Sequence, residues 1–96
     1  MNTSNVKNIK IHYNQRVYLL SYCLIKGTLN SDELGDIDSY GLQAKLFYDN
    51  QNNKVDDVEI ADICSHHKDA MDLYDMVIKN NVFPVHLRDV VMDNIP

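Results

Sequence analysis

Residues 65–96 read SHHKDAMDLYDMVIKNNVFPVHLRDVVMDNIP, and the periodicity of this stretch decides the fold. Ala70, Leu73, Tyr74, Val77 and Ile78 recur at the spacing of one helical face, so a helix running to about Lys79 lays that stripe on a core. Asp69, Asp72 and Asp75 fall on its wet side. Ser65 stands where an N-cap is expected, although Lys68 occupies the position at which a capping box places Glu or Gln. Asp69 suits the positive end of the helix dipole and Lys79 the negative end. Asn80-Asn81 stops the helix. Pro84 opens a second one, because a first-turn residue has no use for its missing N–H, and Leu87, Val90 and Val91 give that helix its apolar side.

Upstream the period changes from 3.6 to 2. Ile9, Ile11 and Tyr13 alternate with Lys10 and His12, the mark of a short strand over residues 9–13, and Asn14-Gln15 reads as a tight turn. Residues 16–26 predict the central strand, with Val17, Leu19, Cys23 and Ile25 on one face and Tyr18, Leu20, Tyr22 and Leu24 on the other. Residues 30–36 have the composition of a loop. Tyr40, Leu42, Ala44, Leu46 and Tyr48 then point inward, with Ser39, Gln43 and Lys45 outward. A polar connection at 49–54 leads to a last strand over 55–63, with Val58 and Ile60 on one face and Asp57 and Glu59 on the other. The expected architecture is α+β: a three- to four-stranded antiparallel sheet followed by two C-terminal helices packed on one face. Residues 1–96 form one domain in this reading, with the polar, Asn-rich residues 1–8 frayed.

Composition narrows the function classes. The chain is 45% hydrophobic and 24% charged, ordinary values for a folded protein. No apolar run approaches the roughly 18 residues that span a bilayer, and the first residues lack the apolar core of a signal peptide. Cys23 and Cys64 are too few for a disulfide framework, so a reduced, cytoplasmic setting without membrane contact is expected. The net charge of −5 is unevenly spread. Residues 1–31 hold Lys7, Lys10, Arg16 and Lys26 and no acid, whereas residues 32–96 hold all 14 acids against five bases. Such an acidic body repels phosphate and makes nucleic acid an unfavourable partner.

Few residues carry recognisable chemistry. Cys64, His66 and His67 cluster between the last strand and the first helix and are the weak candidates for a metal site, but Cys-x-His-His is no established ligand spacing. The same cluster, with Cys64 as a nucleophile activated by a helix N-terminus, is the enzymatic reading; no oxyanion-hole glycine turn accompanies it. The acidic loops fail as EF-hands, because Leu34 and Lys54 stand at positions that need a ligand and a glycine. The six tyrosines lack the basic surround of an RNA-stacking platform, and the second helix has one Arg against two Asp, poor equipment for a DNA groove. No metal and no cofactor are therefore expected.

Ser39-Tyr40-Gly41-Leu42, the 58–63 strand leading through Ser65 into a helix, and above all Phe83-Pro84-Val85-His86-Leu87-Arg88-Asp89-Val90-Val91-Met92-Asp93 resemble a family of short uncharacterised proteins from Gram-positive anaerobic bacteria. The resemblance covers residues 16–95. It implies a domain boundary and a bacterial cytoplasmic setting, and no activity.

Within the second helix the apolar residues are spoken for by packing. His86, Arg88 and Asp89 are left over for a partner, since polar groups beside apolar ones suit the rim of an interface. The expected function is a small non-enzymatic module, regulatory in kind, that binds another protein or a second copy of itself as a homodimer through a free strand edge. Two alternatives stay open: an acidic inhibitor that mimics nucleic acid in the groove of a nucleic-acid-binding protein, and a small metal-binding or cysteine-dependent enzyme built on Cys64, His66 and His67.

Overall fold

A computed structural model describes residues 2–48 and 53–94. Four strands, β1 (Asn2–Tyr13), β2 (Arg16–Ser31), β3 (Gly35–Tyr48) and β4 (Lys54–Cys64), precede two helices, α1 (His67–Lys79) and α2 (Pro84–Asp93). The sheet is an antiparallel meander in the order β1-β2-β3-β4. The α+β reading therefore holds, with both helices on one sheet face. Leu20, Tyr22 and Leu24 of β2 and Leu42, Ala44 and Leu46 of β3 meet Ala70, Leu73, Tyr74 and Val77 of α1 and Leu87 and Val91 of α2 in one buried cluster.

The elements are longer than the side-chain patterns indicate. Residues 2–8, expected to be frayed, belong to β1, which reaches back to a pairing of Asn2 with Lys26. Main-chain pairing to β2 holds them, and that requires no apolar alternation. Residues 30–36 are likewise not a loop: β2 and β3 stay paired to Ser31 and Gly35 and only 32–34 turn. This hairpin continues past the last partners of its neighbours, Asn2 on β1 and Cys64 on β4, and ends in a two-stranded arm. Of the polar connection at 49–54, residues 49–52 lie outside the described residues, and Lys54 opens β4.

Gly41 explains the irregularity between β3 and β4. The register jumps from Tyr40↔Cys64 to Leu42↔Ile60, so β4 bulges opposite Gly41, with Asp62 at φ +57°. A Cβ on Gly41 would run into the Ile60 carbonyl oxygen and lie 2.9 Å from the Ala61 Cα. Ser39, expected to face outward into solvent, is buried beside this bulge, as are Gly41 and Ile25. The β4 backbone covers that corner of the outer face.

The Asn14-Gln15 turn forms as expected, with both residues at positive φ, 49° and 65°. That is the primed geometry which matches strand twist and in which Gly suits the second position. Gln15→Gly relieves about 1 kcal/mol of left-handed strain. The expected outcome is a thermal midpoint raised by about 5 °C, read by circular dichroism.

Ser65 is not the N-cap of α1. That position belongs to His66, whose side chain makes no capping hydrogen bond, because β4 runs to Cys64 and Ser65 is spent on turning the chain. At the other end Asn80 caps the helix, and its side chain donates to the Met76 carbonyl at 2.9 Å. Pro84 starts α2 as its spacing predicts.

Candidate interaction surface

The helix layer sits off-centre on the sheet. α1 packs on β2, β3 and β4, and α2 on β3 and β4, while β1 lacks comparable helix contact. Residues opposite one another in the register share a face, so Lys7 (opposite Tyr22), Ile9 (opposite Leu20), Ile11 (opposite Tyr18) and Tyr13 (opposite Arg16) lie on the helix side of β1. Ile9 and Ile11 are half-buried and Tyr13 is 65% exposed. Between this strip and the α1–α2 connection lies a groove of about 620 Å³ lined by Ile11, Tyr13, Tyr18, Leu46, Val55, Asn81 and Phe83. Asn81 is the one lining residue with a polar amide, and Val55 is 59% exposed. One wall is braced by aromatic contacts: Tyr18 meets Tyr48 edge-on at 5.7 Å between ring centroids, and the Arg16 guanidinium lies 4.9 Å from the centre of the Tyr48 ring.

The far side of the groove is fixed by one buried hydrogen bond. The Tyr22 hydroxyl on β2 donates to the Val82 carbonyl at 2.8 Å, tying the α1–α2 connection to the centre of the sheet. Burial raises the Tyr22 pKa well above the ordinary phenol value. Because the folded value exceeds the unfolded one, the contribution is complete below the unfolded pKa of about 10 and is lost as pH climbs past it. Tyr22→Phe leaves the Val82 carbonyl without that donor at a cost of about 1–2 kcal/mol near neutrality. In thermal scans the gap between wild type and Tyr22→Phe should be largest below pH 10 and close above it.

The expected α2 patch is placed on the surface. His86, Arg88 and Asp89 are all exposed, and Val85 and Met92 beside them are 67% and 71% exposed. Val85, Asp89 and Met92 follow one another at i, i+4 and i+7 on a single outer stripe. Sequence reasoning missed those two apolar members, although the same period that assigns Leu87 and Val91 to the core leaves Val85 and Met92 outside.

The cysteine–histidine cluster does not converge. The Cys64 thiol donates to the His66 backbone carbonyl at 3.8 Å, and the His67 ring packs edge-on against Tyr40 with centroids 5.4 Å apart. Among the described residues no three His, Cys, Asp or Glu side chains are grouped to hold an ion. Burial, with the nearby Asp69 carboxylate adding to it, pushes the Cys64 thiol up, which is opposite to what a helix N-terminus does for a nucleophile. Cys64 ends a strand three residues ahead of the helix and stays a thiol near neutral pH. Cys23, on the outer sheet face, is raised chiefly by burial as well.

A family model matches residues 1–96, described as a family of unknown function, DUF6514. The chain belongs to the DUF6514 family. No curated protein and no solved structure matches it. For this DUF6514 protein the resemblance to short uncharacterised proteins is thus established at the level of the family, over the whole chain. Among the described residues no helix is long and apolar enough to cross a membrane.

Proposed function

We propose that this DUF6514 protein is a small non-enzymatic module of the bacterial cytoplasm that binds another protein and regulates it. One observation carries the reading. The inner strip of β1 is covered less by the helices than the other strands and borders an apolar groove with two prominently exposed side chains, Tyr13 and Val55. Contiguous apolar surface of this kind marks interaction sites on soluble domains. The outer stripe of α2, with His86, Arg88 and Asp89 around Val85 and Met92, has the make-up of an interface rim and is the second contact in this reading. Immunoprecipitation of the native protein from its source cells, with stoichiometry read by mass spectrometry, tests it. One stoichiometric partner, lost on Tyr13→Ser, is expected. A protein that stays monomeric by light scattering and retains no partner sinks the proposal.

A second reading is favoured by the β2–β3 arm. Asp32, Glu33, Asp36 and Asp38 are all exposed there, and no base occurs from residue 27 to 44. An acidic projection of this sort suits the basic groove of a nucleic-acid-binding protein. Capture through the arm would weaken steeply between low and high salt and would be competed by DNA or RNA.

A further inference from the structure

We infer that the sheet face opposite the helices packs on a second copy of this chain, in a two-fold, antiparallel arrangement that lays the β2–β3 arm of one copy over the far end of the other. This face is distinct from the groove, and its occupant does not depend on the reading above. α1 and α2 share one side of the sheet, so among the described residues no layer covers the other side. Residues opposite in register share a face, and on β2 and β3 the outer one carries Val17, Leu19 with Phe47, Cys23, Ile25, and finally Leu29 with Ile37.

The arm supplies the first argument. It runs past the last partners of β1 and β4, yet its alternation persists: Leu29 and Ile37 share the outer side, while Thr28, Asn30, Asp36 and Asp38 share the other. A two-stranded hairpin is marginal in water unless an apolar side is packed. Leu29 is 45% exposed, so that side is still open.

Shape supplies the second. A two-fold axis across the strands, between Cys23 and Ile25, reverses strand direction and sets Leu29 and Ile37 of each copy opposite Leu19 and Phe47 of the other. Gly27 and Ser39 then meet the row of Ser21 and Lys45, small side chains against a long one. Around Leu19 and Phe47 lies a depression of about 270 Å³, bounded also by Val6, Asn8, Ser21 and Lys45, which is a socket for Leu29. The overlap is about 48 Å long and two to four strands wide. That is about 600 Å² on each copy and about 1,200 Å² in total, the low end of specific interfaces.

Charge supplies the third. The arm carries Asp32, Glu33, Asp36 and Asp38, with no base from residue 27 to 44. On the outer face of the opposite end, among the described residues, Lys10, Lys45 and Lys54 outnumber Asp57, which Lys54 holds at 3.2 Å. Antiparallel stacking sets acid over base at both ends, whereas parallel stacking sets acid over acid. Two halves of one face that match each other, in apolar rows and in charge, are what an isologous contact requires and what a foreign partner has no need of.

Sedimentation equilibrium of the full chain across the micromolar range is the test. The mass should rise with concentration from 11.1 kDa toward twice that value. Leu29→Glu should raise the dissociation constant about ten-fold or more. Lys10→Glu/Lys54→Glu and Asp32→Lys/Glu33→Lys should each do the same alone. An equimolar mixture of those two variants should recover the wild-type mass, because every arm again meets an end of opposite charge. All five side chains are exposed, so the variants keep the wild-type circular dichroism spectrum. A chain that stays at 11.1 kDa throughout overturns the proposal. Dimers that Leu29→Glu leaves intact, or that the mixture does not recover, overturn it in favour of another contact such as the β1 edge. A monomer that retains a partner, lost on Leu29→Glu, overturns it in favour of a foreign occupant of the same face. The groove reading survives each of these outcomes and falls only on the immunoprecipitation result.

Discussion

Gly41→Ala is expected to lower the thermal midpoint by about 15 °C, a larger loss than its single added methyl group implies. The added carbon has to displace backbone, the Ile60 carbonyl and the Ala61 Cα, not the end of a flexible side chain. Overpacking against main chain costs about 3 kcal/mol or more, and a domain of this size loses about 4–8 °C per kcal/mol. Gly35→Ala is the internal control. Gly35 sits at φ +74° with nothing within 4 Å of the added carbon, so its cost is conformational alone, about 1 kcal/mol. Calorimetry on the two variants separates space from backbone conformation. If Gly41→Ala loses no more than Gly35→Ala, the β4 bulge gives way easily and does not hold the register of the β3–β4 pair.

Leu87→Ala should cost about 3 kcal/mol, within the 2–5 kcal/mol range of buried Leu truncations. Leu87 is fully buried, and α2 is ten residues long, too short to persist without tertiary packing. Pro84 and Val91 are its other buried residues, so truncating Leu87 removes the central anchor of three. Amide exchange in α2 should accelerate more than in β2 and β3, where Leu20, Tyr22 and Leu24 hold the sheet. Arg88→Ala, one position along and exposed, should stay within about 0.5 kcal/mol of wild type. Equal losses for the two substitutions would mean that α2 is not held by the core as the burial indicates.

Sequence periodicity made α1, α2 and the inward faces of β2 and β3 legible, because apolar spacing there is dictated by one buried face. It failed where order comes from main-chain pairing. Residues 2–8 have Asn, Thr and Ser where an apolar alternation would be sought, yet they pair with β2. Residues 30–36 look like loop because the arm they close has no helix layer to face. Ser39 keeps the outward face that alternation gives it, and only the bulge, enabled by the missing side chain of Gly41, covers it. The surface was partly legible. His86, Arg88 and Asp89 could be assigned to the outside by subtraction from the helical stripe. The groove could not be read, since it depends on where two helices land across four strands, and no local pattern records that. Cys64, His66 and His67 are close along the chain only: the Cys64 thiol donates to the His66 carbonyl while the His67 ring packs on Tyr40, because a strand end and a helix start lie between them.

The strand order has a kinetic side. Each strand of the meander pairs with its neighbours along the chain, so the sheet grows by closing short loops and never waits for distant segments to meet. The central hairpin gains its partners from both flanks. β1, bonded on one side and scarcely loaded by the helices, is secured by the fewest of them. It is the strand that detaches at least expense to the remainder, so opening at the groove is separable from unfolding of the core beneath it.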